Sequence, residues 1–275
     1  MLSTLAAALN SATIQLLPST LALSQEHQRT GQQPDNLCGP YWVGVLLRRY
    51  GLAVTAEQIA QAAGSVLPVG EPHTWLPRGA QSRQDYSLSI PMTDRMRDAG
   101  TSAHGLVQAI TELSAQTYCL VPLQAKWSAD RLTALLNLCQ EHPDWDAVLL
   151  GNLKTGHLWG AGLPVSDAIA YLHGQPITPP AADWDVGHFL ALAGTVTGTV
   201  NSLVIVCDTY PLFGWQGYHL QSAEAIAHAL NRGDGMGGGI LVCVATTYRA
   251  QVEEAAIAQD LQVEIWDNGS PIPTL

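Results

Sequence analysis

The sequence predicts an α+β fold in which an N-terminal, mainly helical part carries one prominent helix and packs on a C-terminal antiparallel β-sheet. Helical periodicity dominates residues 39–139, whereas short apolar runs separated by glycine and proline dominate from residue 146 onwards. Helices and strands do not alternate regularly, as a doubly wound parallel sheet requires. With 275 residues, 47% of them apolar, the chain can bury a substantial core.

We divide the chain into three segments. Residues 1–24 form an N-terminal helical arm, in which a helix over Leu2–Leu16 ends before Pro18. Residues 25–248 form the main domain, with a mainly helical half over 25–145 and a mainly β half over 146–248. Residues 249–275 form a C-terminal extension that starts with a helix over 251–259 and ends in a loose, proline-containing tail.

The helical half opens with a polar loop over residues 25–36, followed by the clearest helix of the sequence. Apolar residues recur at helical spacing from Gly39 to Tyr50, and Gly51 fits the position after the helix. Thr55 and Gln58 have the spacing of a capping box, which predicts a second, short helix. Further helices are predicted over 101–114 and from Ser128 to Cys139, with a strand over 118–125 between them.

Residues 65–100 contain several prolines and glycines and show little periodicity. This pattern predicts a long irregular excursion, and we expect it to shape or cover a substrate cleft.

In the β half the sequence predicts strands and one helix. The strands are residues 147–152, 158–162, 189–197, 200–208 and 240–246, and the helix is residues 222–231.

Charge and hydropathy exclude several classes of partner. The net charge is −11 with only 12 lysines and arginines, so nucleic acid and anionic membrane surfaces are poor partners. No apolar run reaches the roughly 18 residues of a membrane span, and the N-terminus lacks the positive region of a signal peptide. We expect a cytoplasmic protein without a membrane span; the oligomeric state stays open.

The five cysteines fall into two groups. Their odd number and lack of paired spacing argue against a disulfide framework. Four lie within apolar runs and are expected to be buried structural thiols: Cys119, Cys139, Cys207 and Cys243. Cys38 differs, because it stands between a polar loop and the start of an apolar helix. The helix N-terminus and access from the loop favour a reactive thiolate, so Cys38 is the candidate nucleophile.

The candidate partners of this thiol come from the β half. His188 begins an apolar strand, and Asp208 ends the next strand, 20 residues later. If the two strands form a hairpin through residues 197–199, both side chains lie at the same end of the sheet, where Asp208 can orient the imidazole. His157 shares the Gly-His-apolar pattern but has no following strand that ends in aspartate. His104 and His219 are weaker candidates.

Other chemistries find less support. No two possible ligands have zinc-site spacing, and no GxSxG motif is present, so we expect no metal and no cofactor. The glycine-rich segment 233–239 precedes a strand, whereas a phosphate-binding loop follows a strand and opens a helix. A second oxyanion donor, beside the helix N-terminus, is sought among Gln32 and its neighbour Gln33.

The motifs around Cys38 and His188 resemble those of papain-like cysteine peptidases, most closely the bacteriocin-processing C39 type and its stand-alone relatives in bacteria. The shared features are Gln-x5-Cys-Gly-Pro before a helix, a late Gly-His-Phe and a strand that ends in aspartate. By this resemblance Cys38 is the nucleophile, His188 the general base and acid, Asp208 its orienting partner and Gln32 the oxyanion donor. The sequence differs from the C39 pattern at Leu37 and at Thr209, and the specificity for double-glycine leaders is not carried over.

These features lead to the hypothesis of a soluble thiol hydrolase that cleaves a peptide or other amide bond through a thioester on Cys38. Peptide or protein substrates are the expected partners. The same residues also run acyl transfer, as in a peptide ligase or macrocyclase, when an amine outcompetes water. A non-catalytic peptide-binding module with the same fold is the alternative from another class.

Overall fold

The fold is known from a computed structural model that describes residues 12–272. It is an α+β fold built around one large antiparallel sheet, as the sequence predicts. Within that range the helices are α1 (Thr20–Thr30), α2 (Cys38–Arg49), α3 (Ala56–Ala62), α4 (Ala103–Leu113), α5 (Ala129–Glu141), α6 (Val165–Leu172), α7 (Ala223–Asn231) and α8 (Arg249–Ile257). None of the described helices is long and apolar enough to cross a membrane.

The strands form two sheets of very different size. They are β1 (Thr13–Leu16), β2 (Leu67–Pro68), β3 (Met92–Thr93), β4 (Tyr118–Gln124), β5 (Val148–Lys154), β6 (Gly187–Thr197), β7 (Ser202–Cys207), β8 (Tyr218–Ser222), β9 (Gly239–Ala245) and β10 (Gln262–Val263). The large sheet has the order β10-β4-β9-β5-β6-β7-β8, and each neighbouring pair is antiparallel. Strands β2 and β3 form a separate parallel pair within the excursion.

Strand β6 is the centre of the large sheet. Its first part pairs with β5, and beyond a bulge between Leu192 and Gly194 its second part pairs with β1. Gly194 has a φ of 147°, and a Cβ there would lie 2.2 Å from the carbonyl oxygen of Gln15. The glycine therefore allows β1 to approach the bulge.

Helices cover both faces of the sheet. On one face Phe189, Ala191 and Ala193 of β6 share a core with α2, α3 and α4. On the other face Leu190 and Leu192 share a core with α5, α7 and α8. Because both faces are buried, the central strands are continuous apolar runs rather than alternating patterns.

The N-terminal segment differs from the prediction. Residues 13–16 form β1 rather than the end of a helix, because Thr13 and Ile14 pair with the free half of β6; residues 2–11 of that predicted helix lie outside the described range. Residues 25–30, predicted as loop, belong to α1. The buried face of α1 is mostly polar, formed by Thr20, Leu23, Ser24 and His27, and this hid its helical spacing.

Two other segments also differ from the prediction. Residues 158–162 form no strand, since they lie in a loop where the backbone N–H of Gly160 donates to the carbonyl of Pro180. Helix α6 and strand β8 were not predicted. At the C-terminal end, β10 adds to the sheet beside β4, and Trp266 is buried with its Nε1 donating to Oδ1 of Asn152.

Candidate active site

Cys38 is the first residue of α2, and the residues that follow it hold the helix against β6. A Cβ at Gly39 would lie 2.7 Å from Cδ1 of Leu106 and 3.2 Å from the ring of Phe189. Nε1 of Trp42 donates to the carbonyl of Phe189 at 3.1 Å. The glycine and the tryptophan therefore bring the helix N-terminus next to the start of β6, where His188 lies. Cys38 itself is partly exposed.

His188 and Asp208 meet at one end of the β6–β7 hairpin, as the sequence predicts. Nε2 of His188 lies 3.2 Å from Oδ1 of Asp208, and both side chains are almost completely buried. The same oxygen accepts hydrogen bonds from the backbone N–H of Tyr210 at 3.1 Å and the hydroxyl of Thr209 at 3.3 Å. Three donors on one oxygen fix the carboxylate, and the carboxylate in turn fixes the imidazole.

The side chain of Cys38 lies close enough to the same imidazole to contribute to its raised pKa. Burial alone would lower the pKa of His188, but the charges of Asp208 and Cys38 together with their hydrogen bonds outweigh it and raise that pKa. Burial likewise opposes ionisation of Asp208, yet the interaction with His188 keeps its pKa below the ordinary value. The buried carboxylate of Asp208 thus favours an imidazolium at His188.

Aromatic rings shield the histidine from solvent. Trp184 makes an edge contact with the His188 ring at a centroid distance of 5.0 Å, and Tyr210 lies 6.2 Å away on a tilted plane. Trp184 also contacts Tyr210 edge to face. Exclusion of water strengthens each electrostatic interaction of the imidazole, and the open side of the site is the one occupied by Cys38.

The structure does not bring Gln32 into this cluster. Its Nε2 donates to the carbonyl of Gln81 at 2.6 Å on the protein surface. Gln33 is buried; its Nε2 donates to the hydroxyl of Tyr210, and its Oε1 has no hydrogen-bond partner among the described residues. Asn36, two residues before the thiol, lines the cleft together with Cys38, as do Asn152 and Asn268.

Asn36 has a backbone φ of 60°. This left-handed conformation costs energy for any residue other than glycine, and asparagine tolerates it best among the others. Sequence analysis missed Asn36. The signal that points to it is an asparagine at a turn next to the nucleophile, since asparagine is the residue that enters this conformation most readily.

The excursion over residues 65–100 packs on the loop before Cys38. The carboxylate of buried Asp35 accepts hydrogen bonds from the Ser82 hydroxyl at 2.7 Å and the Arg83 backbone at 2.9 Å. The hydroxyl of Tyr86 donates to the Asp35 carbonyl, and the Arg83 guanidinium to the Gln32 carbonyl. These contacts hold the excursion beside the nucleophile.

A cleft of about 440 Å³ opens at Cys38. The excursion forms one wall, with Trp75, Met96 and Arg97. The end of β5 and the start of β6 form a second wall, with Lys154 and Phe189. The C-terminal segment 268–270 closes a third side. The expectation that the excursion shapes the cleft agrees with this arrangement.

His157 and the four other cysteines lie elsewhere. His157 stacks on His228 at a centroid distance of 4.1 Å and lines a neighbouring hollow without Cys38. The four other cysteines are free and buried, as predicted. Burial raises the pKa of the Cys139 thiol to about 12, so that thiol stays protonated and inert at neutral pH.

Residues 17–267 match the family model described as a family of unknown function (DUF6885). The chain belongs to the DUF6885 family. No curated protein matches the chain. The family description of DUF6885 names no activity, so the chemistry has to be inferred from the site.

Among residues 12–272 no group of three or more histidine, cysteine, aspartate or glutamate side chains is arranged to hold a metal ion. The site combines the partly exposed thiol of Cys38, the buried imidazole of His188 and the buried carboxylate of Asp208, in that order.

Proposed function

We propose that this protein is a papain-like cysteine peptidase that cleaves a peptide or related amide bond through a thioester on Cys38. The observation that carries the proposal is the buried imidazole of His188, which lies 3.2 Å from the Asp208 carboxylate and close enough to Cys38 for that side chain to influence its pKa. A nucleophile, a base and an orienting group in this order are what covalent acyl transfer needs. A structural core has no need of a partly exposed thiol beside a buried ion pair.

In the proposed reaction, the Cys38 thiolate attacks the substrate carbonyl and forms a tetrahedral intermediate. In this proposal the backbone N–H at the start of α2 donates to the developing oxyanion, and the amide of Asn36, which lines the cleft with Cys38, is the second donor. His188 gives its proton to the leaving amine, and a thioester remains on Cys38. His188 then takes a proton from water, the resulting hydroxide attacks the thioester, and the acid product and the thiol are released.

The first test uses the thiol alone and needs no knowledge of the substrate. We expect iodoacetamide at pH 6 to alkylate Cys38 in the wild type faster than a free cysteine, because the imidazolium stabilises the thiolate. His188→Ala should remove this advantage. His157→Ala is the matched control, since it changes another glycine-preceded histidine that lies outside the cluster. Intact-mass analysis and peptide mapping follow the reaction.

The second test measures hydrolysis. Wild type and Cys38→Ala are incubated with a mixture of peptides in water enriched in ¹⁸O, and new peptide termini are detected by mass spectrometry. Hydrolysis incorporates the label at new C-termini, whereas transfer to a peptide amine does not. If Cys38 reacts like a free thiol and both variants leave the mixture unchanged, the protein is not a peptidase and the binding-module alternative gains support.

A further inference from the structure

A cavity of about 10 Å³ lies next to Asp208, on the side away from the cleft at Cys38. Its walls include Asp208, His219, Asp183, Thr155, Trp159 and Phe213. This volume is about what a single water molecule needs, provided that polar groups face it. The polar groups are present, because two of the lining side chains carry unused hydrogen-bonding atoms.

The first unused atom belongs to His219. Its side chain lies within the sheet on β8 and is buried, and its Nε2 has no hydrogen-bond partner among the described residues. An orphaned polar atom in a protein interior is destabilising, so such atoms are rare unless water or a function satisfies them.

Gln221 determines which nitrogen of His219 carries the proton. The backbone N–H of Trp159 donates to Oε1 of Gln221, and Nε2 of Gln221 donates to the Trp159 carbonyl, both at 2.8 Å. This pair fixes the orientation of the amide. The second proton on Nε2 of Gln221 points to Nδ1 of His219 at 3.0 Å, so Nδ1 accepts. Neutral His219 therefore carries its proton on Nε2, as a donor without a partner.

The second unused atom belongs to Asp208. The hydrogen bonds from His188, Thr209 and Tyr210 all end on Oδ1, and no described residue donates to Oδ2. His219 and Asp208 both line the same cavity.

We infer that one buried water bridges Nε2 of His219 and Oδ2 of Asp208, and that His219 is a positioning residue for the catalytic carboxylate. The consequence for activity rests on the proposed function. His219 touches no reacting atom: through the water it keeps Asp208 in the orientation that holds the imidazole of His188 toward Cys38. Such outer contacts are known to change activity strongly in other sites.

Burial keeps His219 neutral, against the effect of two nearby carboxylates. Burial lowers its pKa, and the positive charge of His188 acts in the same direction, whereas the carboxylates of Asp208 and Asp183 oppose the shift without reversing it. Neutral His219 is a hydrogen-bond donor over the pH range in which the thiolate is active, so its contribution does not depend on its own titration.

The first experiment reads the tautomer of His219 by nitrogen NMR in the histidine-labelled wild type, with His219→Gln to assign the signal. We expect a neutral ring with the proton on Nε2 at pH 7, and a magnetisation transfer from a long-lived water to that proton. A ring protonated on Nδ1, a cationic ring, or the lack of such a water overturns the inference. This measurement is independent of any enzymatic activity.

The second experiment compares alkylation of Cys38 by iodoacetamide in His219→Phe and His219→Gln. The phenylalanine fills a similar space without a donor and should slow the reaction roughly tenfold, with the alkaline limb of the pH profile moved to lower pH. Glutamine places an amide N–H near the position of Nε2 and should restore the rate.

The two proposals fail in different ways. If wild-type Cys38 reacts like a free thiol, the peptidase proposal fails while the NMR test still decides the water site. If wild-type Cys38 is activated and His219→Phe, folded as judged by its melting temperature, keeps the rate and pH profile, then His219 is not a positioning residue.

Discussion

At the scale of single residues, the proposed oxyanion donor shows the limit of local sequence patterns. The local pattern selects one residue, whereas the contacts of the folded chain favour another. The six-residue offset from Cys38 selects Gln32, but the position of Gln81 and Arg83 in the excursion decides where that amide goes. A loop side chain is placed by contacts made many residues away, and no local pattern carries that information. Asn36, which lines the cleft with Cys38, is the proposed donor in its place.

This assignment predicts different outcomes for two substitutions. Asn36→Gly keeps a backbone that accepts a positive φ but removes the amide, so we expect kcat for peptide cleavage to fall roughly 100-fold, as when one oxyanion donor is lost. Gln32→Ala removes a surface hydrogen bond and should change kcat by about twofold or less. The alkylation rate of Cys38 is the control, because it involves no oxyanion. The opposite pattern would restore Gln32 as the donor.

At the scale of elements, the strands and helices that carry the triad were predictable, and the reason is physical. Helix α2 has a continuous apolar stripe, and the capping box of α3 forms as predicted, with Thr55 and Gln58 bonded reciprocally. The β6–β7 hairpin brings His188 and Asp208 to one end because antiparallel strands must. These elements are specified by patterns within a few residues.

Helix α1 and strand β8, two of the elements that the sequence did not predict, share a different property: several of their buried positions are polar. Helix α1 buries Ser24 and His27, the latter bonded to the hydroxyl of Tyr41. Strand β8 buries His219 and Gln221, which bond each other. Hydrophobic periodicity cannot reveal a buried face whose polar atoms are satisfied by distant partners.

The docking of α2 on β6 can be tested with glycine substitutions. In Gly39→Ala the new methyl group meets Leu106 and Phe189, so the helix start has to move away from His188. We expect a loss of about 1 to 3 kcal/mol in the free energy of unfolding, together with slower alkylation of Cys38. Gly162→Ala is the matched control, since a Cβ there meets no atom within 4 Å and the backbone φ is not positive. Urea unfolding and alkylation kinetics measure both effects, and equal behaviour of the two variants would contradict the docking argument.

At the scale of the whole molecule, the buried His188–Asp208 pair links global stability to pH. The folded-state pKa of His188 is raised above its ordinary value of 6.5, so its contribution is complete below pH 6.5 and is lost as pH rises through the folded-state value. The folded-state pKa of Asp208 lies below its ordinary value of 3.8, so its contribution is complete above pH 3.8 and is lost as pH falls through the folded-state value. The pair therefore stabilises the fold most fully between about pH 4 and 6.5.

Asp208→Asn removes the charge that favours the imidazolium while keeping the size of the side chain. Below pH 6.5 His188 binds a proton in the unfolded variant, whereas buried His188 in the folded variant binds it less readily without the charge of Asp208. The variant should therefore lose stability as the pH falls. We expect the difference in melting temperature between wild type and Asp208→Asn to be largest between about pH 4 and 6.5 and to shrink steadily toward alkaline pH. Scanning calorimetry from pH 4 to 10 measures it, with His157→Gln as the control for a histidine outside the pair. A difference that stays constant across this range would show that His188 and Asp208 are not coupled as an ion pair, and the electrostatic basis of the activated thiol would be lost with it.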